Sequence, residues 1–410
     1  MSYTVLARRY RSQAFADVVG QEPVARTLKA AIATGRVAHA YLFTGTRGVG
    51  KTSMARLFAR ALNAPATVSD CPKPGAEGSQ EAGINPDYEY PDPDVQHRMA
   101  EAIMRGDDLN VIEIDGASNN KVEDARDLIA SAGLSPTANA RFKIYIIDEV
   151  HMLSTAAFNA LLKTMEEPPP HVKFILCTTE PQKVPPTIHS RCQRFDFKNI
   201  PSGRIADHLR AVLDKEDVEA DDPVVFQLAA LGNGSMRDAL SLLDRLIATG
   251  DRPLTTATLE EMFGLPDAEL IHRLITAFAD ADVPAALNQG ADLLARGISQ
   301  DQLVEVLIDQ LRTLMLIAAC GKDTELLEVA PQGRDRAAEL AGRFDTHALV
   351  HMIALCENLQ RSARSSSNGR ALLDATLARL CLAENFADVA ALLSGNGAAE
   401  GGSGGGQKKK

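Results

Sequence analysis

Apolar positions in the first half of the chain fall into short continuous runs separated by stretches of helical spacing. Tyr41-Leu42-Phe43-Thr44, Val111-Ile112-Glu113-Ile114-Asp115, Lys143-Ile144-Tyr145-Ile146-Ile147-Asp148 and Lys173-Phe174-Ile175-Leu176-Cys177-Thr178 predict buried strands, and Arg194-Phe195-Asp196-Phe197 a shorter fifth. Between them Met54, Leu57, Phe58 and Ala61 recur at helical spacing. Phe158, Leu161, Leu162 and Met165 do the same before Pro168-Pro169-Pro170 stops the helix. Strands alternating with helices predict βαβ units and a parallel five-stranded sheet of the α/β class. After about residue 200 the strand signals vanish. Met236, Ala239, Leu240, Leu243 and Leu246 mark an amphipathic helix with Ser235 at its N-cap. Phe263-Gly264-Leu265-Pro266 marks a junction, and from there to about Leu393 the spacing is helical, as in Leu303, Val306, Leu307, Leu311 and Leu314.

This pattern divides the chain into an α/β domain at 1–199, a small helical domain at 200–264, an all-α domain at 265–393 and a Gly-rich flexible tail at 394–410. The stretch from about 64 to 100 is rich in Pro, Gly and acidic residues and reads as a surface insertion.

Charge and composition narrow the chemistry. The formal net charge of −11 disfavours bulk electrostatic attachment to DNA or anionic lipid, so any nucleic-acid contact is expected to be local or shared with partners. Aromatic residues make up 5% and tryptophan is absent, which disfavours a single-strand binder built on stacking platforms. No apolar run reaches the ~18 residues of a membrane-crossing helix. The first ten residues lack the apolar core of a secretory signal, and six scattered cysteines fit a reducing compartment, so a cytoplasmic protein without membrane partners is expected.

The strongest chemical signal is Gly45-Thr46-Arg47-Gly48-Val49-Gly50-Lys51-Thr52, which fits GxxxxGK(S/T) between a predicted strand and a predicted helix. Glycines let such a loop curl its N–H groups toward phosphate oxygens, and the helix N-terminus adds a favourable dipole. Lys51 would neutralise the β- and γ-phosphates of ATP, and the Thr52 hydroxyl would hold Mg²⁺. The strand ending in Asp148-Glu149 offers two carboxylates: Asp148 for the Mg²⁺, Glu149 as general base for the attacking water. Thr179, Arg191 and Arg237 are weaker by pattern alone: a polar strand end is as good a reading of the first, and solvated surface arginines of the other two.

Taken together these residues resemble the gamma/tau family of bacterial DNA polymerase III, AAA+ clamp-loader ATPases. The resemblance rests on Arg9-Tyr10-Arg11, Phe15-Ala16-Asp17-Val18-Val19-Gly20-Gln21, His39-Ala40-Tyr41-Leu42-Phe43, Asp148-Glu149-Val150-His151-Met152-Leu153, Thr178-Thr179-Glu180-Pro181, Ser190-Arg191-Cys192 and Gly234-Ser235-Met236-Arg237-Asp238. It implies an AAA+ P-loop NTPase domain, a helical lid and a helical oligomerisation collar. It implies that Thr179 is sensor 1, that Arg191 is an arginine finger acting in trans on ATP held by a neighbouring subunit, and that Arg237 is sensor 2. Tyr10, Arg11, Val18 and Val19 fall where the family packs the adenine. It further implies a ring-like homo-oligomer joined by delta and delta-prime subunits, which loads a sliding clamp onto primed DNA. The polymerase core would bind through a C-terminal part beyond this chain. No polymerase active site is visible, so DNA-directed DNA polymerase activity would belong to the holoenzyme.

One departure concerns zinc. The family carries four cysteines after the P-loop helix, whereas this window holds Cys71, with His97 the nearest other ligand type. A structural zinc site wants four N or S ligands, so no zinc is expected. The helix starting near Asn119-Asn120-Lys121 is a candidate for a DNA phosphate contact, with an ordinary capped helix start an equal reading. Two rival functions remain at this point. A DExH-type helicase would fit Asp148-Glu149-Val150-His151 but lacks a second motor domain, and a non-catalytic ATP-binding scaffold is at odds with Glu149.

Overall fold

In the computed structural model all five strands lie parallel in one sheet of order β2-β3-β4-β1-β5. They are β1 (Ala40–Thr44), β2 (Val111–Asp115), β3 (Lys143–Asp148), β4 (Val172–Thr178) and β5 (Gln193–Asp196). The structure describes residues 3–64, 93–118, 130, 132–137, 140–324, 327, 331–363 and 368–383. The expected strands are all present, with β1 and β4 each beginning one residue earlier and β5 displaced one residue toward the N-terminus.

The central strands β1, β3 and β4 are buried almost throughout because both faces of the sheet are covered there, whereas the edge strand β5 is largely exposed. Side chains alternate between two cores, as strand geometry requires. Tyr41, Phe43, Ile144, Ile146, Ile175 and Cys177 face the core shared with Met54, Leu57 and Phe58 of the helix Lys51–Asn63. Leu42, Tyr145, Ile147, Phe174 and Leu176 face the opposite core with Phe158, Leu161 and Met165 of the helix Thr155–Glu166. That helix starts on Ser154, whose side chain accepts from Ala157 N, and ends just before the proline run.

The chain divides into two packed units, the first comprising 1–219 and 227–250, the second 220–226 and 251–410. The division runs through the stretch 200–264 expected as one helical domain. In the first unit the helices Ser202–Glu216 and Met236–Ile247 follow the sheet. Ser235 caps the latter by accepting from Asp238 N, and Ala239, Leu240, Leu243 and Leu246 are its buried face, as the spacing predicts. The N-terminal segment packs on these helices. Tyr3 and the Leu6 amide both donate to Asp244, the Tyr10 hydroxyl donates to Glu216, and Arg9 pairs with Glu216.

Part of the expected insertion is regular structure. Residues 93–100 belong to the helix Pro93–Arg105, with Met99, Ala100, Ile103 and Met104 packed in the sheet core. The periodicity of those four residues was the available signal, masked by the Pro-rich stretch before it. Cys71, the Asn119-Asn120-Lys121 segment and the tail 394–410 lie outside the described residues, as does the side chain of His97.

The second unit is helical in its described residues apart from one isolated bridge, Ala220 to Leu254. Its core is built on Leu274, Leu303, Leu307, Leu311, Met352 and Leu377, among others. Several of its helix starts are capped by side chains: Asp267 accepts from Glu269 N and Leu270 N, and Ser299 with Gln302 forms a reciprocal capping box. No described helix is long and apolar enough to cross a membrane.

Candidate active site

The strand order brings the C-terminal ends of β1, β3 and β4 side by side, since β4 pairs with both β1 and β3. Loops leave that edge at the usual ligand position of an open α/β sheet. The first is the loop Gly45–Gly50. Gly45 N bonds Thr178 O at 3.2 Å, and a Cβ on Gly45 would lie 2.9 Å from Phe197 Cβ, so the backbone there admits no side chain. Gly50, at φ +101°, turns the chain into the helix Lys51–Asn63. Val49 is buried beneath the loop, while Thr46 and Arg47 are exposed on it.

Lys51 is 6% exposed and its Nζ donates to Gly45 O and Thr46 O, both at 2.8 Å. The ammonium is thus held inside the curl of its own loop. Burial lowers its pKa below the ordinary amine value, opposed by Cys177, Glu149 and Asp148 nearby. Thr52, one residue on, donates its hydroxyl to Asp148 Oδ2 at 2.7 Å. A hydroxyl and a carboxylate touching at a helix N-terminus are hard oxygen donors, a set that fits Mg²⁺.

Glu149 follows in a left-handed conformation, φ +45°, uncommon for a residue with a Cβ. Its Oε2 accepts from Thr179 N at 3.3 Å and Thr179 Oγ1 at 3.0 Å. The expected base and the expected sensor 1 are therefore directly bonded. His151 Nδ1 also lies 3.4 Å from the same oxygen.

Arg237 reaches the loop from the helical side. Its amide donates to Gly48 O at 3.4 Å, and a Cβ on Gly48 would stand 2.9 Å from Ser235 Cβ and 3.3 Å from Arg237 Cβ. The helix Met236–Ile247 thus rests its first turn on the phosphate loop. Arg11, half-buried, has its pKa lowered by burial first and then by the guanidinium of Arg56, with Arg237 and Arg8 contributing. Arg56 is itself neutralised by a two-pronged pair with Glu113 at 2.6 and 2.9 Å.

Other expected site residues lie further from this centre. Tyr10 is fastened to Glu216, with Arg9 and Lys215 over its ring. Val18 is buried in the sheet core near Phe15, and Val19 is half-buried. Arg191 follows the short helix Pro186–His189. It bonds Thr187 O at 2.8 Å and Glu166 Oε1 at 2.6 Å, and none of its bonds goes to the phosphate loop.

Three residues gain a place that sequence reasoning did not give them. Ser235, read only as a cap, also abuts Gly48. Asn199 accepts from Thr46 Oγ1 at 2.6 Å. His151 joins Glu149 to Glu180, and the polar pattern around it carried no signal for this.

Family models match in sequence along the chain: DNA polymerase III, delta subunit, over 20–201; DNA polymerase III clamp loader subunit, ATPase lid domain, over 204–252; and DNA polymerase III subunits gamma and tau domain III, over 254–394. The chain is 37% identical to DNA polymerase III subunit tau of Bacillus subtilis over 93% of its length and 64% of that protein. The chain belongs to the gamma/tau family of DNA polymerase III. DNA polymerase III subunit tau of Escherichia coli is 42% identical over 80% of the chain and 48% of that protein. The chain therefore spans about half to two thirds of the length of these relatives. A solved structure of the Thermotoga maritima RuvB Holliday junction branch migration motor is similar over 65% of the chain and 79% of its own length, with 18% identity and a TM-score of 0.43. Membership in a family with an ATPase lid domain implies nucleotide binding, and the lid match covers Ser235 and Arg237.

Proposed function

We propose that this gamma/tau family chain is the ATP-driven motor subunit of a clamp loader, binding and hydrolysing ATP to open a sliding clamp and place it on primed DNA. The observation that carries the reading is the convergence of Lys51, Thr52, Asp148, Glu149 and Thr179 under a loop on which Arg237's helix rests.

Lys51 binds the β- and γ-phosphates, exchanging its two loop carbonyls for phosphate oxygens. Thr52 and Asp148 would hold Mg²⁺, which would supply positive charge against the phosphate oxygens. Glu149 takes a proton from the attacking water, after its Oε2 turns from Thr179 toward that water. Thr179 is then free to hold the water or the γ-phosphate. Arg237 carries the nucleotide's presence to the lid, and Tyr10, Arg11, Val18 and Val19 border the adenine.

Arg191 completes the pocket of a neighbouring protomer. Its guanidinium faces the surface beside Glu166, 31% exposed, where a second subunit can reach it. A finger of this kind raises kcat by ~10³–10⁵, so assembly switches hydrolysis on. The partners in this reading are further copies of the chain, delta and delta-prime subunits, the clamp and primed DNA, in the cytoplasm.

The test is phosphate release from ATP in a mixture of the chain with delta, delta-prime, clamp and primed DNA, omitting each in turn. Turnover that rises with clamp and primed DNA is expected. Turnover no higher than that of Lys51→Ala, or indifferent to clamp and DNA, would refute the reading.

A further inference from the structure

His151 is buried between two carboxylates that belong to different parts of the site. The turn Val150–Met152 carries the ring back over the end of β4, leaving its side chain 6% exposed. On one side Nδ1 meets Thr178 Oγ1 at 3.0 Å and Glu149 Oε2 at 3.4 Å. On the other, Nε2 lies 3.4 Å from Glu180 Oε1. Glu180 begins the segment that ends at Arg191. Its amide donates to Thr178 Oγ1 at 3.0 Å, and its carboxylate takes Lys183 Nζ at 2.8 Å. The segment is closed on itself, with His189 Nε2 3.0 Å from Pro181 O and Arg191 bonded to Thr187 O at 2.8 Å.

We propose that His151 is a positioning residue that fastens the hydrolytic carboxylate Glu149 and the Arg191-bearing segment to one ring, so that a protomer's own base and the arginine it offers its neighbour are set together. The inference rests on the shared-pocket reading above and adds a physical link between the two halves of that pocket on one chain. Each ring nitrogen lies 3.4 Å from a carboxylate, a polar contact on both sides that an aliphatic residue of the same volume would not offer. A shift of Glu149 from Thr179 toward water loosens the ring on the Nδ1 side, where Thr178 Oγ1 remains at 3.0 Å, and the change passes to Glu180 through the ring.

The test separates the two arms by complementation. Acceptor protomers carry Arg191→Ala, with an intact pocket but no finger. Donor protomers carry Lys51→Ala, with a finger but no nucleotide grip. ATP turnover in the mixture arises only where a donor faces an acceptor. His151→Asn places its amide near the Nδ1 position and loses the Glu180 arm, whereas His151→Gln reaches the Nε2 position and loses the Glu149 arm. His151→Asn is expected to lower turnover roughly tenfold more in the donor than in the acceptor, and His151→Gln to reverse that order. Equilibrium binding of a fluorescent ATP analogue to the acceptor is expected to stay within about threefold in both variants, which places the loss in kcat. Equal losses in both placements would make His151 a packing residue and overturn the inference, as would no loss from His151→Asn in the donor. An inactive mixture before His151 is touched would overturn the shared pocket, and this inference with it.

Discussion

Gly48→Ala tests whether the lid rests on the phosphate loop. At φ +76° an alanine is strained by about 1–2 kcal/mol. Its Cβ would lie 2.9 Å from Ser235 Cβ and 3.3 Å from Arg237 Cβ, and closer still to Ser235 Oγ. Ser235 yields by giving up its bond from Asp238 N, a cap worth about 1 kcal/mol. The combined loss is about 2–3 kcal/mol of stability. Displacing the first helical turn also takes Arg237 off the nucleotide, and a lost charge-assisted hydrogen bond of about 1.5–3 kcal/mol weakens ATP roughly 10- to 150-fold. Titration with a fluorescent ATP analogue measures this directly. The control is Ser235→Gly, which removes both clashing atoms while a glycine N-cap costs only a few tenths of a kcal/mol, on the order of 0.3. The double variant should regain at least about 1 kcal/mol over the sum of the single effects. Strictly additive losses, or wild-type affinity in Gly48→Ala, would refute the contact.

Glu149→Gln should bind the ATP analogue within about threefold of wild type while losing at least ~10²-fold in turnover, since only the proton acceptor is gone; wild-type turnover would move the base elsewhere. Arg191→Ala should leave binding unchanged and lower turnover of the assembled complex by ~10³-fold or more; an unchanged rate would remove its role in trans. Lys51 supplies a pH dependence. Its folded pKa is depressed below 10.5 by burial, so the unfolded chain binds its proton more tightly. Below the folded value both states are protonated and the burial penalty is complete, and as pH rises toward 10.5 the penalty fades. Denaturant unfolding of wild type against Lys51→Met should therefore show the wild type gaining in relative stability across that window, and a relative loss would reverse the assignment.

The sheet was legible because parallel strands covered on both faces leave an unbroken apolar run, as at Lys143–Asp148, and the loop because its glycines and lysine sit between such a run and a helix. Asp148 and Glu149 could be named from their place at a strand end. The bond between Glu149 and Thr179 could not, because it joins the ends of neighbouring strands and depends on the left-handed turn at Glu149. Ser235 shows a different limit. Its capping role follows from local spacing, whereas its contact with Gly48 depends on how the helix meets a loop nearly two hundred residues earlier. The helix Pro93–Arg105 was obscured by composition, since the Pro-rich residues before it outweighed four well-spaced apolar ones.

The docking of Tyr3, Leu6, Arg9 and Tyr10 on Asp244 and Glu216 turns the N-terminal segment into a reporter. Trypsin cuts after arginine, and Arg8, Arg9 and Arg11 all lie in this stretch. A protease must peel the strand of chain away from both helices before its cleft can close on it, so cleavage there tracks how often the two part company. A gel taken with and without nucleotide would then read the lid's excursions on unlabelled protein, with no fluorophore to disturb them.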